Sequence, residues 1–165
     1  MIQAIVAVDL NWGIGRADAL RFRIRDDLRR FRELTLGHMV VYGRKTLMTF
    51  PGQKPLSGRI NLILSRNPEL EVAGATVCHQ IQEVLAAAAA CPDKHLFVIG
   101  GASVYRELFP WCQKIYVTRV HCVCPADCFF PNLDNLSDWV CTSVDAGHRE
   151  NELIFDYLIY ERKHE

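Results

Sequence analysis

The sequence has 165 residues, no net charge, no internal repeat, and no apolar run near the roughly 20 residues that a membrane helix needs. Nineteen Lys and Arg balance nineteen Asp and Glu. No global field therefore recruits nucleic acid or an anionic membrane, and any such attraction must come from a local patch. The opening MIQAIVAVDL lacks the basic head and long apolar core of a secretory signal. Seven cysteines make an odd number, which argues against a disulfide framework, so a reducing, cytoplasmic setting is expected. No Gly/Ser-rich linker divides the chain, so a single domain over residues 1–165 is expected. Neither GxGxxG nor GxxxxGK[ST] occurs, so the two specific nucleotide fingerprints are missing.

Half of the residues are apolar, enough for a sizeable core. Short apolar runs recur at Ile2 to Val8, Met39 to Tyr42, Ile60 to Leu64, Thr76 to Cys78, Leu96 to Ile99 and Ile115 to Val120, with helical patterns between several of them. Buried parallel strands read this way. Residues 80–91 carry Ile81, Val84, Leu85 and an alanine run that Pro92 ends, which predicts a helix. Val140 to Val144 and Leu153 to Tyr160 add two strands, the last alternating as an antiparallel edge would. The expected fold is α/β: a mixed, mostly parallel sheet of about eight strands with an antiparallel C-terminal strand, flanked by about four helices.

Three strand ends are suited to phosphate. In MVVYGRKT, Gly43 lets the backbone approach closely, and Arg44, Lys45 and Thr46 add charge and a hydroxyl at a helix start. LFVIGGASVY repeats the design with Gly100 and Gly101 before Ala102 and Ser103, and a third strand ends through Leu64 at Ser65 and Arg66. Ligands of parallel α/β sheets lie beyond the carboxyl ends of strands, so three such ends imply a long polyanion such as a dinucleotide. Taken singly, each is equally an ordinary strand-to-helix turn.

The segment LRFRIRDDL raises two readings, a basic edge for an anionic partner or the approach to a chemical carboxylate. Seven arginines lie between Arg16 and Arg32, a pattern that also suits a solvated surface. Leu28, Phe31 and Leu34 form the apolar stripe of the helix that follows, with Arg29, Arg30 and Glu33 pointing away. Asp26 suits an N-cap or first-turn acid facing Arg30. Asp27 extends the apolar face, where it would lose solvation and require a ligand or hydroxyl partner, unless it is a second capping acid. Cys122, Cys124 and Cys128 lack a second pair at metal spacing, so packed thiols are read there in preference to zinc, and no metal site is expected.

Together these segments resemble dihydrofolate reductase over nearly the whole chain. WGIG at Trp12 to Gly15, DDLRRF at Asp26 to Phe31, VVYGRKT at Val40 to Thr46, PLSGRINLILSR at Pro55 to Arg66, VIGGASVY at Val98 to Tyr105, YVTRV at Tyr116 to Val120 and ADCFFP at Ala126 to Pro131 carry the likeness, in order. The resemblance implies NADPH-dependent reduction of 7,8-dihydrofolate, with hydride passing to C6 of the pterin and a proton to N5. It implies that Asp27 holds the pterin N3 and 2-amino group, with Thr118 bonding Asp27 or orienting the ring. Arg59 would pair with the substrate's glutamate α-carboxylate, a planar anion suited to guanidinium. Ile5, Leu28, Phe31, Phe50, Leu56 and Ile99 would wall the pterin and aminobenzoyl rings.

For the cofactor, the same likeness implies that Gly43 to Thr46 and Gly100 to Ser103 cradle the pyrophosphate, with Leu64, Ser65 and Val104 beside them. Arg44 and Arg66 would meet the 2′-phosphate. Ala7 and Ile14 would touch the nicotinamide carboxamide, and Tyr105 would lie near the transferring hydride. Gly13 and Gly15 would fall in a mobile lid. Implied partners are the small-molecule substrate and antifolate inhibitors, with no nucleic acid and no membrane, in a monomer.

LRFRIRDDL departs from the family's Leu-Pro-Trp-x-Leu-Pro-x-Asp-Leu: Arg21 and Arg25 replace prolines, and Phe22 replaces tryptophan. Phe22 keeps an apolar wall beside the reacting groups but has no N–H to donate. Cys128 stands where the family often has threonine. An altered lid, a lower Asp27 pKa from the neighbouring arginines, and reduced sensitivity to diaminopyrimidine antifolates are the expectations. A catalytically silent paralogue and a reductase of riboflavin precursors are the alternatives.

Overall fold

A computed structural model describes residues 1–15 and 22–164. Among them, strands β1 (Ile2–Val8), β3 (Met39–Gly43), β4 (Ile60–Leu64), β5 (Ala75–Cys78), β6 (Leu96–Val98), β7 (Lys114–Val120), β9 (Trp139–Glu150) and β10 (Leu153–Arg162) form one sheet. Its order is β5-β4-β3-β6-β1-β7-β10-β9. Pairing is parallel from β5 through β7, and β10 is antiparallel to both of its neighbours. Helices α1 (Arg25–Thr35), α2 (Arg44–Leu47), α3 (Ile81–Ala89) and α4 (Ala102–Leu108) supply the connections. The expected mixed sheet with four helices is what forms.

The central strands explain why apolar runs were so readable. Val40, Val41, Tyr42, Phe97 and Val98 are buried, because helices and loops cover both faces of β3 and β6. Strand order reverses around β6, with β1 on one side and β3 on the other. A crevice opens at such a reversal, beyond the carboxyl ends of the strands.

One expectation about the C-terminal half needs correcting. β10 is antiparallel but internal, since β9 covers its outer side. Phe155, Tyr157, Leu158 and Tyr160 are all buried on β10, so residues on both faces leave water, whereas β9 exposes most of its twelve residues. Beyond Val144 the true edge carries Asp145, Ala146, Gly147, His148, Arg149 and Glu150, which hid that part of β9 from a search for apolar runs.

A second correction concerns α1. Its N-cap is Ile24, which makes no side-chain cap, and Asp26 lies in the first turn. Capping comes instead from β9: the Arg25 N–H donates to both carboxylate oxygens of Glu150, at 3.0 and 2.8 Å. The Leu28/Phe31/Leu34 stripe is also less covered than expected. Leu28 is 47% exposed and Phe31 and Leu34 are half-buried, so this face of α1 is not packed into the core.

The turn after β1 is held by a buried acid. Asp9 accepts the N–H groups of Asn11 and Gly13, each at 2.8 Å, and that of Cys124 at 3.3 Å. It thereby ties the entry to β2 (Gly13–Gly15) to the segment before β8 (Cys128–Phe129), two short strands that pair with each other. Asp9→Ala leaves these donors without their carboxylate, so the variant should lose about 2–4 kcal/mol in urea denaturation.

Candidate active site

At the mouth of the crevice, the Gly43 N–H donates to the Gly100 carbonyl at 2.9 Å, which locks together the ends of β3 and β6. Gly100 has φ +127°, a backbone region closed to residues with a side chain. Its peptide bond to Gly101 is cis. The Thr46 hydroxyl faces both glycines, 3.6 and 3.7 Å from where their Cβ atoms would stand. A cavity of about 590 Å³ opens here, within the range of small-ligand sites.

Its lining brings together most of the residues singled out for the cofactor. From β1 comes Ala7, and from β2 Ile14. The first phosphate turn contributes Gly43, Arg44, Lys45 and Thr46, with Leu64 from β4. The second contributes Ile99, Gly100, Gly101, Ala102, Ser103, Val104 and Tyr105. Ser65 and Arg66 do not line it. The Ser65 hydroxyl accepts the Asn67 N–H at 3.2 Å, and Arg66 is exposed and sits 3.6 Å from Glu107 of α4. Helices α2 and α4 have four and seven residues, so what they offer an anion is individual N–H groups and side-chain cations, with little helix dipole.

The cavity also includes Val6, Gly15, Thr49, Arg106 and Cys128, which sequence reasoning did not assign to it. Arg106 carried a legible signal, standing three residues after Ser103 on the same helix face. Cys128 carried none, because it arrives only through the Gly15–Cys128 pairing of β2 and β8. Phe22 lines the same cavity and packs against Ile24, Val120, Phe155 and Tyr157. Arg21 lies outside the described residues.

The acidic end of the site is built from α1 and β7. The Thr118 hydroxyl donates to Asp27 Oδ1 at 2.5 Å. Thr118 is 2% exposed and stands in register with Ala7 of β1, so the acid lies next to the strand that lines the cavity. Burial pushes the Asp27 pKa up, opposed by the Thr118 hydrogen bond and the charge of Arg30. Arg30 does not point away as expected. Its guanidinium lies over Tyr157 and Tyr116, and Asp26 pairs with Arg29 at 3.5 Å. The expected lowering of the Asp27 pKa therefore has burial against it.

Tyr105 donates its hydroxyl to the Ile5 carbonyl at 2.6 Å, and burial raises its pKa far above the ordinary value. The phenol stays protonated and engaged, which suits a wall and leaves no proton to exchange. Ile5, Phe50, Leu56 and Ile99 gather beside Tyr42 and Phe97 in one apolar cluster. Arg59 is placed by two bonds, from Nε to the Ser57 carbonyl at 2.9 Å and from Nη1 to the Thr35 hydroxyl at 3.2 Å. Gly58 precedes it with φ +74°, the left-handed region that favours glycine, and a Cβ there would also displace the Leu36 side chain, whose Cδ1 would stand 2.7 Å away.

Fold and cleft together define an α/β enzyme that sets a phosphate-bearing cofactor against a small polar substrate. The comparisons sharpen this. A sequence model for dihydrofolate reductase matches residues 1–162. Dihydrofolate reductase of Bacillus subtilis (strain 168) is 34% identical, covering 99% of this chain and 95% of the relative. That of Staphylococcus haemolyticus is 33% identical over 98% and 95%. A solved dihydrofolate reductase from Enterococcus faecalis, complexed with NADP(H) and RAB-propyl, superposes with a TM-score of 0.87 at 33% identity, covering 99% of this chain and 97% of that one.

This chain belongs to the dihydrofolate reductase family and catalyses the NADPH-dependent reduction of dihydrofolate to tetrahydrofolate.

Proposed function

We propose that the cleft holds NADPH along the two glycine turns and presents dihydrofolate to Asp27. The observation that carries this reading is the Thr118–Asp27 hydrogen bond, which occupies one lone pair of Oδ1 and helps orient the group. The remaining lone pairs accept two parallel N–H groups, the pattern a pterin offers at N3 and its 2-amino group. Gly100, whose backbone angle excludes a side chain, and the cations Arg44, Lys45 and Arg106 fit the phosphates of a dinucleotide. NADPH, when bound, supplies the hydride.

The chain's own residues then bind and orient. Ile14, Ala7, Phe22 and Tyr105 line the cavity, and on this reading they shield the reacting groups from water while Asp27 holds the ring whose N5 must gain a proton. Leu28 and Phe31 offer an open apolar wall on α1, opposite Ile5, Phe50, Leu56 and Ile99, and Arg59 takes the substrate's carboxylate tail. Ser65 and Arg66 reach the 2′-phosphate once Arg66 leaves Glu107. The reading extends to a single-domain monomer, inhibited by antifolates that compete for Asp27, with no nucleic-acid or membrane partner. The balanced charge supports it. None of the seven cysteines forms a disulfide, which is consistent with a cytoplasmic setting. Among the described residues, no helix is long and apolar enough to cross a membrane.

Loss of NADPH absorbance on addition of dihydrofolate tests the reading, and equal rates with and without dihydrofolate overturn it. Arg59→Leu should raise KM for dihydrofolate about 10- to 100-fold with kcat changed less than about twofold, because a charge-assisted pair remote from the reacting atoms binds ground and transition states alike.

A further inference from the structure

Arg30 stands three residues after Asp27 on α1, on the same side of the helix. Its guanidinium carbon lies 4.2 Å from the centre of the Tyr157 ring and 5.5 Å from that of Tyr116. Both rings belong to the wall that carries Thr118. Tyr157 is the cross-strand partner of Thr118 between β10 and β7, and Tyr116 precedes Thr118 by two residues on β7, hence on the same face. Arg30 therefore fastens α1 to the sheet where the Thr118 hydroxyl meets the acid. Its planar group suits this use, because it stacks on aromatic faces and keeps its charge at every pH of interest.

Resting on the assignment of Asp27 as the substrate-binding acid, we propose that Arg30 is a positioning residue whose tyrosine-stacked guanidinium fixes α1 against Thr118 and keeps a permanent cation within one helical turn of Asp27. The electrostatics agree with the geometry. Burial favours protonated Asp27, and of the groups acting the other way Arg30 is second after Thr118. Among the described residues, Thr118 faces the acid from β7, Tyr157 from β10 and Tyr105 from α4, and burial holds both phenols protonated. At the first turn of α1, Asp26 is paired with Arg29, and Glu150 of β9 accepts the Arg25 N–H. His148 of β9 packs on Tyr157 with ring centres 4.9 Å apart, its Nε2 3.0 Å from Asp145. Among the described residues, Arg30 is the cation that the electrostatics of Asp27 single out.

The test follows the Asp27 carboxyl carbon by 13C NMR in the ligand-free protein, beside the pH profile of single-turnover hydride transfer. Arg30→Met should raise the Asp27 midpoint by about half a unit to one unit, since the cation is partly exposed, and should move the kinetic profile the same way. Arg30→Lys restores the charge and should recover at least half of that shift, while KM for dihydrofolate stays above native because an ammonium does not lie flat on the rings. An unmoved midpoint in Arg30→Met overturns the proposal, however much stability the variant loses. If Arg30→Met does not fold, the native protein still decides: raising salt to about 1 M, where charges are screened within about 3 Å, should raise the Asp27 midpoint, and no movement overturns the proposal. The NMR readout needs no substrate, so its failure is distinct from a native protein that does not oxidise NADPH with dihydrofolate, which would overturn the functional reading.

Discussion

Replacing Asp27 by asparagine should lower dihydrofolate-dependent NADPH oxidation at pH 7 by about a hundred- to a thousandfold and, at the same pH, make the ligand-free protein more stable. The activity loss follows from the inventory of the group. An amide oxygen still accepts from Thr118, but its NH2 faces donors on the pterin where a second acceptor is required. The gain in stability follows from linkage. Burial raises the folded pKa of Asp27 above its ordinary 3.8, so the native state holds this proton more tightly than the unfolded chain does. The acid's contribution is therefore fully present below the unfolded value and is lost as pH rises through the folded one. Above that window the native protein carries a poorly solvated charge that asparagine removes. Urea midpoints at pH 7 and near pH 3 check the sign: the Asn variant should gain at pH 7 and gain little at pH 3. Equal gains at both would mean that desolvation of the carboxylate is not the cause.

Gly100→Ala should weaken NADPH binding at least tenfold and lower the denaturation midpoint together. At φ +127° any residue with a Cβ is strained whatever room it has, and the strain is of the order of 1–3 kcal/mol. Room is not the difficulty. The added Cβ would meet the Thr46 hydroxyl and the Tyr105 ring at 3.6 Å, ordinary contact. The turn relaxes by rotating, which pulls the Gly100 carbonyl from the Gly43 N–H and parts the two strand ends that form the cavity. NADPH fluorescence titration and urea denaturation measure the two losses. Gly101→Ala is the control for stability: φ is negative there and its Cβ would meet Thr46 at 3.7 Å, so its midpoint should stay close to native.

The departures from the family pattern acquire different meanings once they are placed in space. Phe22 retains the wall against Ile24 and Val120, so its cost is confined to the missing N–H. Arg25 begins α1 with its N–H on Glu150, so the helix start that proline would have stiffened is held by a carboxylate from the other end of the chain. Among the described residues, the arginine that bears on Asp27 is Arg30, and not Arg25.

Much of the sheet, and the glycine turns that line its cleft, could be read in advance because their determinants are local. β3 and β6 are buried on both faces and so appear as unbroken apolar runs, and the glycine turns that follow them sit within a few residues of the cations they work with. Asp27 was legible because helical periodicity placed a carboxylate on an apolar face. Other features depend on partners far along the chain. Glu150 caps α1 across 125 residues, Cys128 enters the cavity through a pairing of two short strands, and the half of β9 beyond Val144 hides as a polar edge. Arg30 shows the limit most clearly: helix spacing allowed it to face Asp26, and the stack on Tyr157 and Tyr116 decided otherwise. Periodicity and turn chemistry act over a few residues and can be seen in a string of letters. Caps, edges and the orientation of a long cationic side chain are chosen by whichever distant surface folding brings within contact, and that surface exists only in the folded chain.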